Sequence, residues 1–179
     1  MEHERTISTR RVYEGRILNL RVDSVELSGG RTSTREIIEH RGAVVIAALD
    51  GEENVLMVRQ FRKPVEQELL ELPAGTLESG EDPEACASRE LQEETGFKAD
   101  KLEKLGGFYS APGFCTEYLH LFLATGLVAS PLAGDDDEDI RVAPTPISQV
   151  PGLIASGEIR DAKSVAGLLR VLRERFPEI

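Results

Sequence analysis

Among its 179 residues the chain has no tryptophan, two cysteines and two methionines, and aromatic residues make up only 5% of it. Cys86 and Cys115 show no metal-ligand spacing and cannot build a framework of several bridges, which excludes a zinc ribbon and a disulfide-stapled scaffold. No staple is needed at this length, because one domain of such size buries most of the surface its unfolded chain exposes. Long apolar runs are missing too. The longest, "AVVIAAL" at 43–49, falls far short of a bilayer span. The amino-terminal "MEHERTISTRR" lacks the apolar core of a signal peptide, so the expected setting is the reducing cytoplasm, without a membrane partner. Cations are scarce: 21 Lys and Arg stand against 32 Asp and Glu, a net charge of −11. That balance opposes binding of long nucleic acid, which needs clustered cations to displace counterions. A small phosphate ligand stays within reach, held by a few arginines and by metal ions that acidic groups recruit.

What is present reads first as strands. "RILNLRV" (16–22) and "TSTREIIEH" (32–40), separated by "SGG", predict a hairpin across 16–40. "AVVIAALD" (43–50) is too continuously apolar for a half-exposed strand and belongs at a sheet centre; "VLMVRQF" (55–61) is another strand. A helix follows from about Asp82 to Thr95, with Pro83 in its first turn, Gly96 at its end and Ala85, Leu91 and Cys86 or Ala87 facing the sheet. Strands are expected near 102–109 and 117–125. The proline-bearing "RVAPTPI" reads as an edge strand, "ISQVPGLIASG" as a short helix. An amphipathic helix over 161–176 should turn Val165, Leu168, Leu169, Leu172 and Phe176 inward. The order predicts one α+β domain, with residues 1–40 as a strand lobe and 41–179 as the main body.

The stretch "RELQEETGF" (89–97) crowds Glu90, Glu93 and Glu94 onto one helical turn, where like charges three and four apart are mildly destabilising. A cation is the obvious offset. Reading outward gives Gly75, five residues, Glu81, seven residues, Arg89-Glu90-Leu91, one residue, Glu93-Glu94, one residue, Gly96-Phe97. With ordinary residue frequencies, chance would meet these constraints in roughly one window per billion. Gly75 permits a loop conformation that other residues resist, and Gly96 suits the left-handed cap that ends a helix. Hard divalent cations prefer oxygen ligands and commonly bridge carboxylates to substrate phosphates. Arg89 can fix a carboxylate through a forked contact.

These residues match the Nudix box, and the chain resembles a Nudix hydrolase over most of its length. The resemblance implies the Nudix fold, a mixed β-sheet sandwiched between helices, with an antiparallel amino-terminal strand lobe. It further implies Glu90 and Glu94 as metal ligands, Glu93 as ligand or base, the Ala74 carbonyl as another ligand, and Gly75, Glu81, Arg89 and Gly96 as supporting groups. The metal would be Mg²⁺ or Mn²⁺, and the reaction hydrolysis of a nucleoside diphosphate linked to another group.

Pro112, fifteen residues after Phe97 in "YSAPGF", resembles the ADP-ribose pyrophosphatase subgroup. So do "IEHRGAVVIAALD" followed by "VLMVRQFRKPV" and "ELPAG", and "DEDIRV" after an acidic loop. That likeness implies release of AMP and ribose 5-phosphate from ADP-ribose, and a base in the late loop: Glu138, which also joins the metal shell, with Asp136 beside it and Glu93 as the alternative. It implies Arg62 and Arg59 on phosphate or ribose, Arg41, Glu71, Pro112 and Gly113 as further substrate contacts, and a homodimer in which Ile17 and Leu18 approach the adenine. The rivals are a hydrolase of another nucleoside diphosphate sugar such as GDP-mannose, and a non-catalytic ADP-ribose sensor. His3, His40 and His120 show no ligand spacing and read as structural.

Overall fold

The computed structural model of the chain describes residues 4–134 and 139–179, and these divide into two compact units. The smaller comprises the chain up to Gly42 together with Tyr109–Tyr118. Its strands β1 (Arg5–Glu14), β2 (Asn19–Glu26) and β3 (Thr32–Glu39) form an antiparallel sheet in the order β1-β2-β3. The predicted hairpin is β2–β3, closed by Gly29 and Gly30, both at positive φ, although β2 begins at Asn19 and runs to Glu26 instead of spanning 16–22. β1 carries no apolar alternation for the sequence to reveal, because every one of its residues is exposed. In the same unit Ile38 N–H donates to the Phe114 carbonyl at 2.8 Å and Thr116 N–H returns to the Ile38 carbonyl at 2.9 Å.

The larger unit, Ala43–Phe108 with Leu119–Ile179, holds two sheets. One runs β7 (Ala74–Thr76), β4 (Ala43–Ala48), β9 (Tyr118–Ala129), β8 (Phe97–Tyr109), with β4 parallel to β9 and antiparallel to β7. The other is antiparallel, with β5 (Asn54–Arg62) between β6 (Gln67–Glu71) and β10 (Ile140–Pro146). The edge position of β10 suits its prolines, which have no N–H to give a second neighbour. Helices α1 (Pro83–Thr95), α2 (Val150–Ser156) and α3 (Ala162–Arg175) complete an α+β fold. Among the described residues no helix is long and apolar enough to cross a membrane.

β4 shows why its sequence is apolar without alternation. Val45 and Ala47 join a core with Met57, Leu121, Leu168 and Val171, whereas Val44 and Ile46 join a second core with Phe122, Cys86, Ala87 and Leu91. Successive side chains leave a strand on opposite faces, so β4 is covered by α3 on one side and α1 on the other. Each helix departs from the expected pattern at one apolar position. Ala85 of α1 is exposed, while Cys86, Ala87 and Leu91 are buried. Leu169 of α3 is 50% exposed; Val171, together with Leu168 and Leu172, takes the inward stripe, and Val165 and Phe176 pack at its margin. The helix rotates a little from the expected phase because Ser164 and Gly167 are small enough to face the sheet.

Candidate active site

Five consecutive residues, Glu71 to Gly75, are fixed by contacts to β4, β5, α1 and α3. The Glu71 carboxylate takes Arg62 and Lys163; Leu72 N–H donates to Ser164 Oγ at 2.7 Å. Ile46 N–H donates to the Pro73 carbonyl at 2.9 Å, and Ala74 N–H donates to Glu94 Oε2 at 3.0 Å. Gly75 pairs with Val44 and lies against Glu90. A Cβ built on Gly75 would come within 1.8 Å of Glu90 Cδ, far inside any real contact. Here the expectation is corrected: Gly75 is not at positive φ, and the position needs glycine for space, not for conformation.

The helix that carries the other acids is well bounded. Asp82 caps α1 by accepting from Glu84 N–H at 2.9 Å and Ala85 N–H at 3.2 Å, and Pro83 occupies the first turn, where a missing N–H costs nothing. At the other end Gly96, φ 78°, donates its N–H to the Gln92 carbonyl at 3.0 Å. Cys86, Ala87 and Leu91 anchor the helix in the core, which turns Glu90 and Glu94 toward Ala74 and Gly75 of β7, while Glu93 meets Arg89. Glu94 is only 8% exposed.

Arg89 is the hub of this cluster. Its Nε and Nη2 reach the two Glu81 oxygens at 3.1 and 3.2 Å, and its Nη1 reaches Glu90 Oε1 and Glu93 Oε2, both at 2.8 Å. Pairing with one carboxylate was expected; the guanidinium holds three. Glu81 also accepts from Glu78 N–H at 2.8 Å. The Arg89 contact, aided by that N–H, holds the Glu81 carboxyl below its usual range, while the three acids push the guanidinium further up. Burial, reinforced by the Glu81 charge, drives the Cys86 thiol up to about 12, so it stays protonated beside the cluster.

The donor set suits a divalent cation. Three carboxylates meet around one guanidinium and a fourth, Glu94, takes the Ala74 N–H; all are hard oxygen donors, and β7 carries no side chain where Gly75 faces Glu90. Among the described residues no three acidic, His or Cys side chains already stand in coordination geometry, so an ion that takes Glu90 and Glu93 competes with Arg89 for them.

The expected substrate residues separate into groups. Arg59 and Arg62 lie three apart in β5 and therefore leave it on opposite faces. Arg59 pairs with Glu158 at 2.7 Å, and Arg62 grips Glu71 through Nε at 3.1 Å and Nη2 at 2.7 Å. Glu71 is 2% exposed; burial pushes its carboxyl up, but Arg62 and Lys163 outweigh that and hold it below the usual value. In the smaller unit Arg41, Arg16, Ile17 and Leu18 line an open cavity of about 320 Å³, with Arg41 Nη2 donating to the Arg16 carbonyl at 3.3 Å. Pro112 and Gly113 are exposed in a turn where Cys115 N–H donates to the Ala111 carbonyl at 2.9 Å. Glu138 and Asp136 lie outside the described residues. Of the histidines, His40 accepts from Gly42 N–H at 3.1 Å, a local turn contact. Sequence reasoning missed Lys163 and Ser164; "DAKS" signals a capped helix start and nothing more.

A short glycine-bearing strand and an acid-bearing helix are thus brought together on a mixed sheet, with hard oxygen donors gathered between them. The family description "NUDIX domain" matches residues 39–168, and "Nucleoside diphosphate sugar hydrolase N-terminal domain" matches residues 4–38. The chain belongs to the Nudix family. ADP-ribose pyrophosphatase of Bacillus subtilis (strain 168) is 44% identical over 163 residues, 90% of this chain and 88% of that protein. Methanol dehydrogenase activator of Bacillus methanolicus is 43% identical over 164 residues, 90% and 89% of the two chains. GDP-mannose pyrophosphatase of Citrobacter koseri is 36% identical over 141 residues, 73% of each chain. Among solved structures, one titled "Crystal structure of ADP compounds hydrolase" superposes with a TM-score of 0.86 at 23% identity, covering 97% of this chain and 96% of its own, a likeness of fold.

Proposed function

We propose that the chain hydrolyses the pyrophosphate of ADP-ribose to AMP and ribose 5-phosphate with Mg²⁺, Mn²⁺ being the expected substitute. The observation that supports metal-assisted pyrophosphate hydrolysis is the Arg89-centred cluster of Glu81, Glu90 and Glu93, with Glu94 beside it on the Ala74 N–H, and the choice of ADP-ribose draws on the name of the relative at 44% identity. Glu90, Glu93 and Glu94, with the Ala74 carbonyl, would hold the metal, which when bound would neutralise developing phosphate charge and make water a better nucleophile. Arg89 keeps the acids oriented, and Glu81 fixes Arg89 from the far side. Arg62 would neutralise a phosphate that approaches the cluster, with its guanidinium already angled by Glu71. Glu138, Asp136 and Glu93 are the candidates for accepting the proton of the attacking water.

Arg41, Ile17 and Leu18 would contact the nucleoside, and residues 1–40 would supply the homodimer contact in a cytoplasmic enzyme. Turnover of ADP-ribose, GDP-mannose, NADH and diadenosine polyphosphates with Mg²⁺ or Mn²⁺ tests the proposal; a dominant substrate other than ADP-ribose overturns the choice. The GDP-mannose reading draws on the name of the relative at 36% identity. A non-catalytic sensor would bind ADP-ribose and leave its pyrophosphate intact. Sedimentation of the purified chain checks the dimer.

A further inference from the structure

We infer that Lys163, in the first turn of α3, is a positioning residue that sets the Arg62 guanidinium for an anionic ligand by sharing the buried Glu71 carboxylate with it. The inference rests on the reading of Arg62 as a phosphate contact. Lys163 stands outside the Nudix box, 66 positions after Phe97, and touches none of the four acids through any contact described above. Its side chain is only 15% exposed, and its ammonium bridges Glu71 to Asp161, whose carboxylate lies at 3.0 Å. The result is a line of alternating charge, Arg62, Glu71, Lys163, Asp161, that begins half-exposed in β5 and ends at the cap of α3.

The order of the line matters. A carboxylate 3% exposed in its side chain cannot stay charged inside the unit without a partner, and one cation would serve that purpose. Were Arg62 the sole partner, Glu71 would draw it inward and spend its charge. With Lys163 on the same Oε2, the carboxylate is compensated from the helix side, and Arg62 is oriented by Nε and Nη2 without being the only counter-charge. Asp161 cannot wander, because it also accepts from Ser164 N–H at 3.1 Å as the helix cap. Ser164 in turn accepts from Leu72 N–H, so α3 holds both the side chain of residue 71 and the backbone of residue 72.

A double-mutant cycle tests this. Lys163→Met should raise KM for the nucleotide sugar about tenfold, within the range of coupled networks, and change kcat by less than about threefold. Lys163→Arg should restore most of the loss. In an Arg62→Ala background, Lys163→Met should add nothing further. A KM unchanged in folded Lys163→Met, or a rise of equal size in the Arg62→Ala background, would overturn the inference while leaving pyrophosphatase activity in place. Because Lys163→Met in the Arg62→Ala background leaves the buried Glu71 charge without either cation, the cycle is repeated with Glu71→Gln/Lys163→Met, which removes that charge; here too KM should rise and the Arg62→Ala background should abolish the rise. If the wild type cleaves no compound of the panel, the proposed function fails on its own, and the same cycle is read as ADP-ribose affinity by equilibrium dialysis in EDTA. No binding by the wild type there would overturn the Lys163 inference as well.

Discussion

Helices α1 and α3 cover opposite faces of the same strand, yet they are built on different terms. Both start at an aspartate cap, and both reach the core with apolar side chains spaced at helical intervals, Cys86, Ala87 and Leu91 in α1 and Leu168, Val171 and Leu172 in α3. α3 spends its inward face on packing, through Leu168, Val171 and Leu172. α1 gives a whole side to Glu90, Glu93 and Glu94, which repel one another unless Arg89 or a metal intervenes. The difference teaches that substitutions on α1 should cost chemistry before stability, and substitutions on α3 the reverse.

The sharpest break of that contrast is Glu90→Gln, which keeps the volume and removes the charge: kcat/KM should fall about a thousandfold, as loss of several kcal/mol of charge stabilisation implies. Its thermal midpoint should stay within a few degrees of wild type. Leu168→Ala should do the opposite, costing about 2–5 kcal/mol in urea denaturation. Turnover per folded molecule should then be unchanged. Gly75→Ala comes next. Its Cβ would push Glu90 aside, and a displacement on the order of 1 Å at a catalytic group costs about a hundredfold in rate.

Acid titration gives a smaller effect that belongs to α3. Glu71 is held below its ordinary value of 4.5 against the opposing push of burial, so its stabilisation is fully present above about that pH and is lost as pH falls through the lower, folded value. Lys163→Met should therefore lose less stability than wild type between pH 6 and pH 3, measured by denaturant midpoints. Smallest of all, Asp82→Ala should cost about 1 kcal/mol through the lost cap of α1. A cost several times larger would mean that the cap also supports the acid cluster.

Much of this was legible because it rests on spacing. The bounds of α1 follow from Pro83 and Gly96, and the double burial of β4 follows from an apolar run without alternation. β1 was not legible, since an exposed strand has no pattern, and β6 and β7 are too short and too close to Pro73 to announce themselves. Gly75 was recognised for the wrong reason: a sequence cannot tell a glycine needed for φ from one needed for room. Leu169 misled because the small Ser164 and Gly167 shift the packed face of α3, and Arg89's threefold grip and Lys163's link to Glu71 depend on distances between elements far apart in the chain.

The double commitment of β4 also bears on how the larger unit comes apart. Adjacent residues such as Val44 and Val45 belong to different cores, so neither helix can swing away without opening the strand that the other one covers. Local fraying is thereby denied to the site. In native-state hydrogen exchange the β4 amides should open only with global unfolding, and protons behind α1 and behind α3 should leave at one common free energy.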